Sequence, residues 1–247
     1  MTETVSFTAA IFVAAGFLQG FAGFGAGLLA VPLLLLRFDI TVAVPVCVLA
    51  SIVLNAQLCV SYRDALSWGR IMPLLLGSIP GLILGSLVLV HAPPVLTRSV
   101  LGGILVAYGL WGLWAKSATG MMGSPRPVYG YAAGMASGAM GAAFSANGPA
   151  AIVYVSLTDW PKNTIKGTLA GYFLANNVAT LAAEAASGLL TLQVALAGMV
   201  GAAGIGLGGW MGVRACSRLG ERDYRRAMFA LLFLMGGNLL VDVMRHG

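Results

Sequence analysis

Charge is scarce in this chain. Asp, Glu, Lys and Arg make up 9% of the 247 residues and hydrophobic residues 59%, whereas a soluble domain is about one quarter charged. A soluble globular domain is therefore excluded. The short alternating strands of about 10 residues that build a membrane barrel are missing as well. Met1 to Ser6 include Glu3 but neither Lys nor Arg, so the basic start of a cleavable signal peptide is lacking and the first apolar segment is expected to be retained. Cys47, Cys59 and Cys216 are scattered without CxxC spacing and read as small core residues, not as a disulfide or metal framework. His91 and His246 lie at segment ends, so no Ser/His dyad or HExxH site can form locally. No catalytic residue, metal or cofactor is expected.

What the chain has instead is long apolar runs. Several reach the roughly 20 residues that cross a hydrocarbon core. Eight stretches stand out, at about 5–36, 42–61, 70–90, 96–115, 128–157, 165–186, 191–213 and 225–243. The expected class is an all-α polytopic membrane protein. The net charge of +6 sits mostly in short loops beside these stretches, which points to the positive-inside bias and anionic lipid. No basic, aromatic-lined groove for nucleic acid is present. The lipid bilayer is the partner expected at this point, with a homo-oligomer left open.

The first and fifth stretches are longer than a bilayer requires, and small residues interrupt both, at Gly20 to Gly25 and at Gly138 to Ala143. A shift of 118 places Gly16, Gly20 and Gly23 on Gly134, Gly138 and Gly141; slightly larger shifts place Asn55 on Asn177, and Gly81 and Gly85 on Gly204 and Gly208. Two repeats follow, at 1–115 and 128–247, joined by a polar linker at 116–127. If segments one and five enter and leave on one side, eleven of the basic residues (63, 70, 116, 126, 162, 166, 214, 218, 222, 225 and 226) share a face, opposite Arg37, Arg98 and Arg245. Each repeat is then a broken or re-entrant hairpin plus three crossings, and the second is inverted. Eight full crossings with parallel repeats split the same charges nine against five and stay open as the alternative.

Broken helices inside a membrane are tolerated only where they are buried in protein or line a cavity. The start of a half-helix offers free amide hydrogens and a positive dipole end, which suits an anion. Gly23, Gly25 and Gly27 would let a ligand approach the first break; Ser145, Asn147 and Gly148 stand at the second. Gln19, Asn55, Asn176 and Asn177 are uncharged groups able to donate and accept, and Phe24 and Phe144 flank the breaks as candidate gates. Glycines four apart in the unbroken segments read as helix packing. No Lys, Arg, Asp or His stands near a segment middle; Glu184 reads as interfacial, and Lys162 and Lys166 as orientation signals.

The stretches GFLQGFAGFGAGLLAVPLLL and GAMGAAFSANGPAAIVYVSLTDWPKNTIKGTLAGYF resemble the sulfite exporter TauE/SafE family, along nearly the whole chain. The resemblance implies a bacterial inner-membrane permease, basic loops cytoplasmic, that exports a small sulfur-containing anion such as sulfite or sulfoacetate. It maps the family's glycine motif onto Gly16, Gly20, Gly23, Gly25, Gly27 and Pro32, and its counterpart onto Gly134, Gly138, Gly141, Asn147, Gly148 and Pro149. Ala142 and Ala143 stand where a strict copy of the first motif has glycine, which shifts weight to Ser145 and Asn147. An uptake system, a channel or a non-transporting assembly subunit are the alternatives.

Overall fold

The computed structural model describes residues 2–114, 127–156, 158, 160–215 and 221–246. They form α1 (Thr2–Ala22), α2 (Ala26–Leu34), α3 (Ile40–Ser61), α4 (Trp68–His91), α5 (Pro94–Trp114), α6 (Pro127–Phe144), α7 (Gly148–Ser156), α8 (Lys162–Ala186), α9 (Leu192–Ala215) and α10 (Glu221–His246), with a 3-10 turn at Arg63–Ala65. No strand occurs among the described residues, so the fold is all-α. Among the described residues five helices, α1 from Val5, α3, α4, α5 and α9, are long and apolar enough to cross a membrane. Exposed Ile79, Ile83, Leu196, Met199 and Leu207 make outward faces that only lipid covers cheaply. The chain is a multi-pass membrane protein. The linker and Cys216 fall outside the described residues, save Pro127, which opens α6 where its missing N–H costs nothing.

The two long apolar stretches each split into a long helix, a short turn and a nine-residue helix, α1–α2 and α6–α7. Both are hairpins. After α2 the chain has returned to the start of α1, where the Arg37 guanidinium lies 4.8 Å from the centre of the Phe7 ring. In the second half a Cβ on Gly130, near the start of α6, would stand 3.3 Å from the hydroxyl of Tyr154, near the end of α7.

Helices pair across the halves rather than within them. The chief packing partners are α1 with α9, α4 with α6, α5 with α10, and α3 with α8 and α9. Exchanging the halves turns the α1/α9 pair into α6/α4 and leaves α3/α8 and α5/α10 unchanged. The two exchanged pairs are seams of touching backbone. A Cβ on Gly204, Gly208 or Gly212 of α9 would run into the carbonyls of Ala9, Val13 and Phe17 of α1; one on Gly77, Gly81 or Gly85 of α4 would meet those of Tyr131, Met135 and Ala139 of α6. Lipid tails are as apolar as leucine, so membrane helices associate through this close packing instead of hydrophobic transfer.

Gly208→Ala and Gly81→Ala are therefore expected to destabilise the protein by about 1–3 kcal/mol, the usual cost of overpacking. Gly103→Ala and Gly237→Ala, where a new Cβ meets nothing within 4 Å, are expected to be neutral or slightly stabilising. Thermal unfolding in detergent checks this, and equal losses at all four positions would remove the seams as the reason.

Candidate functional site

The first break is built on backbone that favours glycine. Gly23 has φ 89 and Gly25 φ 104, the left-handed region that other residues enter only at a cost. The Gly23 amide closes α1 by donating to the Gln19 carbonyl at 2.6 Å, and α2 opens at Gly25, whose carbonyl accepts from Leu29 at 3.2 Å. At the second break the left-handed residue is Ser145, φ 52, the one non-glycine with positive φ among the described residues. Strained backbone of this kind costs of order 1–3 kcal/mol and persists where the surroundings hold it. What holds it is the opposite break: a Cβ on Gly27 would collide with the Ser145 carbonyl, and one on Gly148 would stand 3.2 Å from the Phe24 ring.

Where the hairpin tips meet there is a small polar cavity. Gln19, Gly25, Ala26, Gly27, Leu28, Ser51 and Asn55 line it from the first half; Ser145, Ala146, Asn147, Gly148, Phe173 and Asn177 line it from the second. Its interior is about 10 Å³, room for a single water. Each half supplies one amide pair of the same form. Gln19 Nε2 donates to Asn55 Oδ1 at 2.7 Å, and Asn147 Nδ2 donates to Asn177 Oδ1 at 3.2 Å. Gln19 Oε1 also accepts the Ala26 amide at 3.2 Å, so a side chain occupies the first amide of α2. Ser137 Oγ donates to the Asn147 carbonyl and holds the second tip.

Eight of the twelve residues expected at the site line this cavity: Gln19, Gly25, Gly27, Asn55, Ser145, Asn147, Gly148 and Asn177. Gly23 lies outside it, where an added Cβ would stand 3.4 Å from Lys166 Cγ. Phe24 is buried with its ring edge-on to Tyr108 at 6.3 Å, and Phe144 belongs to the packed core. Asn176 points about 100° away from Asn177 around the helix, towards Gly141, where a Cβ would stand 3.0 Å from its Oδ1. Ser51 and Phe173 were missed. They stand four residues before Asn55 and Asn177, on the same helix faces, and the repeat matches them to each other.

Two charged residues sit differently from the sequence expectation. Lys166 is buried, and its Nζ donates to the Phe21 carbonyl at 2.9 Å, 5.9 Å from the centre of the Tyr62 ring. The last carbonyls of α1 end inside the protein and need donors, and the long stem of lysine can deliver one. A positive charge thus stands beside the first break. Glu184, expected at the membrane interface, is 2% exposed, on a face of α8 covered by the neighbouring helices.

If left-handed backbone governs the breaks, Gly25→Ala should cost about 1–2 kcal/mol, while Ser145→Gly should be close to neutral because it relieves strain as it loosens the unfolded chain. Melting temperatures of the two purified variants test this; equal losses would mean that the φ values are not what matters.

No curated protein and no solved structure matches the chain. The family model described as sulfite exporter TauE/SafE matches residues 8–239, which takes in both breaks, both seams and every cavity residue. The chain belongs to the sulfite exporter TauE/SafE family of membrane transporters.

Proposed function

We propose that the protein is a secondary transporter that exports a small sulfur-containing anion, sulfite or an organosulfonate such as sulfoacetate, by alternating access. The observation that carries this reading is the meeting of two helix-opening hairpin tips, one from each half, at one polar cavity. The first-turn amides of α2 and α7 and the dipoles behind them favour an anion. Asn55 and Asn177, with their oxygens engaged, keep N–H donors for it. Gln19 Oε1 holds the Ala26 amide as a stand-in acceptor that an incoming oxyanion displaces. A cavity with room for one water is the closed form of such a site, and the anion enters when the halves move apart.

Helix direction supports inverted repeats. Gly102 of α5 lies against Leu240 of α10, and Gly109 against Phe229 and Phe233, so these equivalent helices run antiparallel. Gly167, early in α8, lies against Tyr62, just past α3, so that pair is antiparallel too. Parallel repeats would run both pairs the same way. Arg63, Arg70, Lys162 and Arg214 sit at one end of the bundle. Arg37, Arg98 and Arg245 sit at the other, where Arg98 lies 3.7 Å from Asp242. The positive-inside bias makes the first end cytoplasmic, in a bacterial inner membrane, with hairpins that enter from the outer face in the first half and from the cytoplasm in the second. A potential negative inside then favours outward movement by about 2.3 kcal/mol per charge per 100 mV.

Proteoliposomes of the purified protein, loaded in turn with sulfite, sulfoacetate, sulfate and a neutral control, test the reading under a potassium diffusion potential. Saturable, potential-dependent flux with counterflow of one of the anions is expected. Flux that neither saturates nor shows counterflow would indicate a channel, and no anion flux would sink the proposal. Asn147→Ala and Asn177→Ala should each cut the flux by about tenfold or more, as loss of a charge-assisted hydrogen bond implies, with normal yield and melting temperature. Wild-type rates in both would remove them from the site.

A further inference from the structure

One face of α8 carries a polar row that the anion cavity does not use. Thr168, Tyr172, Asn176, Thr180 and Glu184 recur every fourth residue, which places them in line along the helix, and all are buried, at 0–2% exposure. Tyr172 lies beside Ser137 of α6 and Ser78 of α4. Beyond it, both atoms of the Asn176 amide, Thr180 Oγ1 and both Glu184 carboxylate oxygens have no hydrogen-bond partner among the described residues.

Packing alone does not require such a row. The repeat that matches Asn55 to Asn177 also matches Leu54 to Asn176 and Leu58 to Thr180. On α3 these positions are apolar and buried, so the fold accepts leucine there. Buried polar groups left unpaired are costly, and ionisable groups within membrane helices commonly mark ion pathways. The row starts beside the cavity and ends at the outer face: Thr180 and Glu184 lie about 6 and 12 Å past Asn176, at 1.5 Å per residue.

No ion pair to Glu184 forms among the described residues; α4, which packs on α8, ends at the same end of the bundle in His91, an exposed ring bonded to the Leu87 carbonyl. From α3 the neighbouring titratable group is Cys47. Between Arg70 and His91 α4 has no ionisable residue, and α6 has none after Tyr131. The 3-10 turn, with Arg63 and Asp64, meets the opposite end of α8. Lys166, on α8 itself, is eighteen residues away.

We propose that Asn176, Thr180 and Glu184 form the site and outer pathway of a coupling cation, H⁺ or Na⁺. Its arrival from the outer face neutralises the Glu184 carboxylate and permits the halves to reorient. A proton forms the acid O–H and leaves from it as H⁺ when the site reopens. Sodium is held by oxygens, from the carboxylate, Thr180 and the Asn176 carbonyl. The anion gradient then follows the cation gradient as well as the potential. This inference rests on the transport reading above.

The test uses radiolabelled sulfite and sulfoacetate in parallel, in proteoliposomes clamped at zero potential. Anion exchange without gradients is measured first, then net flux under a pH gradient alone and a sodium gradient alone. In the wild type a tenfold gradient of the coupling ion is expected to sustain about a tenfold anion gradient at one-to-one coupling, and the effective gradient identifies the ion. Glu184→Gln is expected to keep exchange and lose the response to the gradient. Gradient response preserved in Glu184→Gln overturns the assignment. Wild-type exchange that ignores both gradients overturns coupling while leaving transport intact. Absence of wild-type exchange removes the transport reading and this inference with it. If Glu184→Gln does not fold, Thr180→Val replaces it: a blunted gradient response supports the row, and a full response overturns it.

Discussion

Contact of bare backbone with bare backbone is the constraint on which this structure depends. Gly27 presses on the Ser145 carbonyl where the hairpin tips meet, and the α1/α9 and α4/α6 seams do the same along their length. In a bilayer, attraction between helices comes from such close approach, and one added methyl group at a seam has nowhere to go. The seams join each half to the other, so neither half completes its own packing. The hairpin tips are held between them.

That arrangement explains how polar groups come to be buried in an otherwise apolar chain. A helix broken inside a membrane exposes amides and carbonyls that must find partners. Gln19 Oε1 takes one freed amide of α2, Lys166 Nζ takes a freed carbonyl of α1, and Ser137 takes the Asn147 carbonyl of the second tip. Much of the polar chemistry near the cavity thus satisfies the breaks first. On the proposed reading an anion exchanges places with some of these bonds, and Lys166 adds a positive field close to the first tip without touching the cavity.

The halves are alike in plan and unlike in chemistry. Asn55 and Asn177 are matched, and each accepts an amide N–H from the break of its own half. Yet the first tip turns on two glycines and the second on a strained serine, and α8 carries buried Asn176 and Thr180 where α3 carries Leu54 and Leu58. On the proposed reading the two halves supply alternation between two equivalent arrangements, and the departures from likeness are where direction and coupling can be written.

Much of this was legible in the chain itself. Long apolar runs dictate membrane helices, because buried backbone must satisfy itself, and runs too long for one crossing, broken by glycine in matching places, announce the two hairpins. Eight cavity residues follow from the same logic, since a break and a matched asparagine are local signals. The rest is tertiary. Gly16 and Gly20 share a motif with Gly23, Gly25 and Gly27, but the first two serve a seam, the next two a turn and the last the contact between tips; spacing cannot separate these roles because each depends on what lies opposite. Whether Asn176 or Asn177 faces the cavity depends on the rotation of α8 against its neighbours. Lys166 reads as an orientation signal and Glu184 as interfacial because they stand near the ends of their segment, and their burial comes from the helices that pack over those ends. The sequence by itself determined the membrane class and the breaks, which arise from hydropathy and local backbone preference; the tertiary structure decided which polar groups meet, because the cavity closes between hairpin tips from the two halves and each amide pair joins two separate helical segments.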